Sequence, residues 1–142
     1  MSSLDDRGPR RQLLQLSAED CWELLKTQEV GRVGFVHHGT PQIFPVNFQV
    51  HEGRVLFRTT PYGAVAHAVT GTEIAFEVDL IDHPTQIGWS VLLSGPGQHE
   101  TDPAVLSQLW GPDRATPWAD GNRVLWISLT PTEVSGRRIA WD

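Results

Sequence analysis

Residues 30–59 read VGRVGFVHHGTPQIFPVNFQVHEGRVLFRT. Valine, isoleucine and phenylalanine fill three runs, 30–37, 42–50 and 54–59. These residue types suit a pleated, half-buried surface. His38-Gly39-Thr40-Pro41 and His51-Glu52-Gly53 separate the runs, with the glycine and proline that tight hairpins need. Three consecutive antiparallel strands are the prediction. The third run closes on Arg58-Thr59-Thr60-Pro61. A helix is predicted over 61–69, with Thr60 as N-cap and Pro61 in the first turn, where a missing N–H is no loss. A helix N-terminus offers unpaired N–H groups and a partial positive charge. Arg58 and the hydroxyls of Thr59 and Thr60 converge on the same place, which suits an anion such as a phosphate-bearing ligand. The competing reading is that Arg58 pairs with a surface carboxylate and Thr60 only caps.

Upstream, residues 1–15 are polar, with Arg7, Arg10 and Arg11 set around Gly8 and Pro9. They read as a flexible leader to a single domain over 16–142. Ser17-Ala18-Glu19-Asp20 approximates a capping box, with Asp in the place of Glu or Gln. Trp22, Leu24 and Leu25 give the helix that follows its apolar face, and Lys26-Thr27-Gln28 closes it. Downstream, 73–80 alternates Ile74, Phe76, Val78 and Leu80 against Glu73, Ala75, Glu77 and Asp79, the period of a strand. Asp82-His83-Pro84 reads as a turn. An apolar strand over 87–93 continues to about 100 after a bend at Gly95-Pro96-Gly97. Asp102 caps a helix running to about Trp110, and a glycine- and proline-rich loop follows over 111–121. Strands 124–129 and 133–139 end the chain, joined by Thr130-Pro131-Thr132. About seven strands in consecutive hairpins and three short helices give a mainly β (α+β) fold. An antiparallel barrel with short helices at its ends is expected, not a doubly wound sheet.

At 142 residues the chain can bury a real core in one domain. A formal net charge of −6 argues against a nucleic-acid partner, whose footprint is basic. No apolar run approaches the roughly 20 residues that span a bilayer, and the N-terminus has no signal-peptide core. A cytoplasmic location without membrane contact is expected. Cys21 is the single cysteine, in a helix beside Trp22, and reads as a small buried hydrophobe. Trp89, Trp110 and Trp118 fall near predicted loops or strand ends, where flat aromatic surfaces can line an interface or a planar ligand, although ordinary core packing is the expectation for most of the tryptophans.

Catalytic signals are few. No histidine pair has zinc spacing, and neither a Gly-x-Ser-x-Gly elbow nor a phosphate-binding P-loop is present. His37-His38 reads as a solvated turn, and Asp79 and Asp82 read as residues flanking a turn. Gly95-Pro96-Gly97 lacks the third glycine of a dinucleotide fingerprint. A cofactor site without its own acid or base fits flavin chemistry, which the ring carries while the protein supplies position and polarity.

The runs Gly31-Arg32-Val33-Gly34-Phe35, Ile43-Phe44-Pro45-Val46-Asn47-Phe48 and Val55-Leu56-Phe57-Arg58-Thr59 resemble the pyridoxamine 5′-phosphate oxidase-like proteins. These are FMN-binding split β-barrels, and the nearest branch is the actinobacterial and nitroimidazole-resistance type. Phe76-Glu77-Val78-Asp79, Gly88-Trp89-Ser90-Val91 and Val134-Ser135-Gly136-Arg137-Arg138-Ile139 continue the likeness, which covers roughly 16–139. The resemblance implies a homodimer with two FMN sites at the subunit interface. It would set Pro45, Val46 and Asn47 along the flavin ring and Arg58 and Thr59 at the phosphate and ribityl chain. Trp89 and Ser90 would approach from the strand that completes the site. The implied activity is electron transfer between a reduced nicotinamide or deazaflavin and a small organic substrate.

One departure stands out. The branch usually carries a lysine where this chain has Ala64. A charge-assisted contact of that kind contributes about 1.5–3 kcal/mol, so its loss weakens binding roughly ten- to hundredfold. FMN remains the expected cofactor. The alternatives are the deazaflavin F420, or a non-catalytic or empty barrel that sequesters, senses or scaffolds. A true pyridoxamine 5′-phosphate oxidase is disfavoured, since no basic cluster is left over for a second phosphate.

Overall fold

A computed structural model describes residues 10–59, 63–109 and 125–141. In chain order the elements are β1 Arg11–Gln15, α1 Ala18–Leu25, β2 Val30–His37, β3 Thr40–His51, β4 Arg54–Thr59, α2 Ala64–Val69, β5 Glu73–Asp82, β6 Ile87–His99, α3 Pro103–Leu109, β7 Leu125–Leu129 and β8 Glu133–Trp141. Six of the strands close a ring, β2-β3-β4-β7-β6-β5 and back to β2, every pair antiparallel. The expected split barrel is what the chain forms. No helix among the described residues is long and apolar enough to cross a membrane.

The two hairpins of residues 30–59 are set by their turns. His37 pairs with Thr40 across His38-Gly39, and His51 pairs with Arg54 across Glu52-Gly53. All four turn residues have positive φ, from 47° to 76°. Two consecutive positive-φ residues make the turn whose twist matches the flanking strands, and glycine at the second place carries no steric cost. β3 therefore begins at Thr40, two residues earlier than its apolar run.

β6 does more than its sequence promised. Its first half pairs with β5 on one side and β8 on the other, and Gly97 to His99 then pair with β7. Gly95-Pro96-Gly97 is the corner where the strand exchanges β8 for β7. A Cβ on Gly95 would lie 2.6 Å from the Thr130 carbonyl oxygen, so only glycine lets the chain after β7 cross there.

Three expectations need correction. Arg11–Gln15, assigned to the leader, is a strand: it pairs with β8 from Arg11 opposite Trp141 to Gln15 opposite Arg137. All five of its side chains are exposed, so backbone pairing holds it and no burial period marks it in the sequence. α2 starts at Ala64 rather than residue 61. Gly63 occupies the N-cap in an extended conformation and makes no side-chain capping bond. The cap role expected of Thr60 thus passes to Gly63, and Thr60 and Pro61 themselves lie outside the described residues, as do Trp110, Trp118, the 111–121 loop and residues 1–9. β5 runs on to Asp82, so Asp79 lies within the strand rather than at a turn.

The barrel interior is filled by Val33, Phe35, Phe48, Val55, Phe57, Ile74, Phe76, Val78, Val91, Leu93, Ile127 and Leu129. Phe76 stacks on Phe57 and meets Phe48 edge-on, with centroids 5.9 and 5.2 Å away. α1 is capped as predicted, with the Asp20 N–H donating to Ser17 Oγ at 3.1 Å. It lies against β8, where Gly136 leaves room for Cys21. A Cβ on Gly136 would come within 2.5 Å of Cys21 Sγ and 3.1 Å of Leu16. A second apolar cluster lies outside the ring, where Val105 and Leu109 of α3 cover Leu56 and Trp126.

Gly136→Ala should therefore lower the unfolding free energy by about 1–3 kcal/mol, the usual cost of overpacking, measured by urea denaturation. Adding Cys21→Ala should restore part of the loss. A Gly136→Ala chain as stable as the parent would show that α1 does not depend on this contact.

Candidate functional site

Strand alternation sorts the expected site residues. Phe48 and Phe57 face each other inside the barrel. Asn47 and Arg58, the next residue along each strand, therefore lie on its outer face. Asn47 is opposite Val30, and Pro45 is opposite Arg32. Pro45, Asn47 and Arg58 are all exposed. They form one outward-facing group on two adjacent strands.

Val46 and Thr59 have the opposite parity. Val46 packs against the core, and Thr59 is half-buried opposite Leu125. The side chains at these two positions therefore do not join the outward-facing group.

Trp89 and Ser90 are not brought to this group within one chain. Ser90 pairs with Asp79 on β5 and Arg137 on β8. That puts it three strands from β3, about 14 Å at the usual inter-strand spacing. Trp89, the third residue of β6, lies near a strand end and is 8% exposed, packed into the core. Next to it, Leu80, Asp82, Ile87, Gly88, Arg138 and Ala140 help line an open cavity of about 390 Å³.

The surroundings of Arg58 decide between its two readings. Among the described residues, ion pairs join Lys26 to Glu23, Arg32 to Glu77 and Asp79, His51 to Glu52, and Arg54 to Glu100. Arg58 has no carboxylate partner among them. Its guanidinium instead lies 5.8 Å from the ring centroid of Trp126, directly opposite on β7. Such a contact contributes about 0.5–1 kcal/mol at an exposed site. An exposed arginine held on an aromatic face fits a phosphate.

Sequence reasoning missed Trp126 as the support for Arg58, because only the β4–β7 register reveals it. It also missed the Arg32–Glu77–Asp79 cluster. Arg32 Nη1 donates to Glu77 Oε1 at 3.1 Å and to Asp79 Oδ2 at 3.2 Å. Burial, then hydrogen bonding and charge from Asp79, push the Glu77 carboxyl up to about 7, against the opposing pull of Arg32. The alternation of 73–80 put both carboxylates on one face, but the arginine comes from a different hairpin.

Elsewhere the ionisable groups have structural duties. Burial foremost, then the Asp20 charge, raises the Cys21 thiol, which keeps it protonated and inert. The rings of His37 and His38 lie 4.0 Å apart at the hairpin turn. Among the described residues no three metal-binding side chains gather. Asp82 accepts from Thr85 Oγ1 and orders the β5–β6 turn. Asp102 Oδ1 accepts from the Ala104 N–H at the start of α3.

Known proteins share both the sequence and this fold. The family profile of pyridoxamine 5′-phosphate oxidase matches residues 17–138. Rv0080, an uncharacterized protein of Mycobacterium tuberculosis, is 31% identical over 137 residues, 93% of this chain and 89% of its own. The FAD-binding protein of Mycobacterium smegmatis is 31% identical and superposes with a TM-score of 0.71, over 89% of this chain and 98% of its own. A FAD-binding protein of Mesorhizobium loti, 19% identical, shares the fold with a TM-score of 0.69 over 92% and 99% of the two chains. The six-stranded ring, the partner exchange of β6 and the profile match across nearly the whole domain lead to one conclusion: this chain belongs to the pyridoxamine 5′-phosphate oxidase family.

Proposed function

We propose that this protein binds a flavin nucleotide on the outer face of the barrel, with the phosphate on Arg58. The observation that carries the reading is the exposed Arg58, stacked on Trp126 and lacking a carboxylate partner among the described residues. Pro45 to Asn47 run alongside and would lie against the ring. Peptide groups at Val46 and Thr59 would complete the polar contacts. A bound flavin supplies hydride acceptance and return, so the protein need contribute only position, polarity and access. The proposed role is an oxidoreductase that passes electrons between a reduced nicotinamide or deazaflavin and a small organic substrate.

FMN is the cofactor the sequence suggests, with F420 as the alternative. FAD is a second reading, supported by the Mycobacterium smegmatis protein, which is described as binding it. A non-catalytic flavin carrier or empty barrel is the competing function. We place the protein in the cytoplasm, a reading supported by the single, buried cysteine.

We propose further that the working unit is a homodimer. On the outer face Val30, Val36, Ile43, Ile81 and Leu92 are 48–70% exposed. Register gathers them on one side of β2, β3, β5 and β6. Several large apolar side chains exposed on one sheet face mark an interaction surface. A second copy would also offer its own face to the Pro45–Asn47 edge, which one chain leaves open.

Titrating the protein with FMN, FAD and F420 by fluorescence tests the cofactor reading, which silence from all three would end. Arg58→Ala should weaken flavin binding at least tenfold, and unchanged affinity would remove Arg58 from the phosphate. Ala64→Lys should tighten binding about tenfold or more by adding a charge-assisted contact; flat or weaker affinity would refute the role given to the missing lysine. Leu92→Asp should turn the dimer into a monomer in sedimentation. A dimer that survives it must use another face.

A further inference from the structure

The apolar outer face has a charged centre. Arg32 clamps Glu77 and Asp79, which lie two residues apart on the outer face of β5. Two carboxylates held on one guanidinium repel each other, and a proton taken up by the pair relieves that repulsion. Fully ionised, the cluster carries two negative charges and one positive. With one shared proton it is neutral.

Among the described residues, few other charges bear on it. β3 brings Pro45 and Asn47 to this face, and β6 brings Ser90, Leu92 and Ser94. Beyond them β8 adds Arg137 opposite Ser90 and Glu133 opposite Ser94, and β5 itself adds Glu73. The Glu77 and Asp79 side chains are already only 34% and 28% exposed in the single chain.

Resting on the homodimer reading above, we propose that the Arg32–Glu77–Asp79 cluster makes self-association across this face proton-linked. Covering the face with a second copy removes the cluster from water. A net negative charge makes that removal costly, and a shared proton lifts most of the cost. The dimer therefore binds the proton more tightly than the monomer does, and association strengthens as pH falls. In a twofold interface each chain contributes the same cluster, which doubles the effect.

The sign also fixes the behaviour of the single chain. The Glu77 carboxyl stands at about 7, above its ordinary 4.5. Its stabilising contribution is full below about pH 4.5 and is lost as pH rises through 7. Association adds to that elevation, so its transition lies at or above pH 7.

The test is the dimer dissociation constant of the full chain at pH 6 and pH 8.5, read over dilution from micromolar to sub-nanomolar with labelled protein. The parent should associate at least tenfold more tightly at pH 6, the change expected for one unit of pKa elevation on pairing. Glu77→Gln, neutral at every pH, should associate at pH 8.5 within about threefold of its pH 6 value. Asp79→Asn, which leaves one carboxylate against one arginine, should likewise lose most of the pH dependence. A pH-independent parent dimer would overturn the proton linkage and leave the dimer standing. Equal pH dependence in parent and both variants would assign the effect to another group and overturn it too. A parent that stays monomeric at both pH values would overturn the homodimer reading itself.

Discussion

The barrel depends on β6 serving three neighbours. An open sheet edge with unsatisfied N–H and C=O groups is a liability, and closure removes it. Closure requires one long strand to leave β8 and take up β7 without breaking its pairing with β5. Gly95 and Gly97 permit this because the Thr130 and Val69 carbonyl oxygens approach to 2.6 Å of where their Cβ atoms would stand. The Gly97 N–H donates to Thr72 O, and Gly97 O accepts from the Gly71 N–H, so the corner is also tied to the chain leaving α2. Once β7 is docked, Trp126 falls opposite Arg58 and α3 has an apolar surface to cover. The candidate site is thus a consequence of the same exchange that closes the ring.

A six-stranded ring is too narrow to hold both side chains and a ligand. Phenylalanines 48, 57 and 76 fill its centre, and Gly31 is needed beside them because a Cβ there would reach within 2.5 Å of Phe76. The proposed site therefore lies outside, where alternation sets Pro45 opposite Arg32 and puts Asn47 and Arg58 further along the same face. The outer face combines apolar exposure suited to a second copy with polar groups suited to a ligand. That combination gives the proposed cofactor site and the proposed dimer face one shared boundary.

The sequence disclosed what local rules control. β2 and β4 have the bounds that their apolar runs predicted, and the hairpin turns follow from His38-Gly39 and Glu52-Gly53. The alternation of Ile74, Phe76 and Val78 gave the inner face of β5, although Leu80 at its end is exposed. β1 was hidden because backbone pairing at an edge leaves no side-chain period. The α2 start was misread because Thr60-Pro61 has the residue types of a cap, whereas the chain turns at Gly63. Trp89 was legible as lying near a strand end, but its burial follows from the face of β6 that it occupies. Arg58 was legible as a candidate, but its lack of a carboxylate partner among the described residues and its seat on Trp126 depend on long-range register. The Arg32 cluster is of the same kind: three residues 45 and 47 positions apart in sequence meet only when β2 pairs with β5.

The central claim is that Arg58 is the phosphate anchor of an outer-face flavin site. The most direct measurement is a crystal structure of the protein with FMN bound. The account predicts the phosphate within about 3 Å of the Arg58 guanidinium nitrogens and the ring alongside Pro45 to Asn47. A flavin phosphate held elsewhere, with Arg58 turned to solvent, would contradict it.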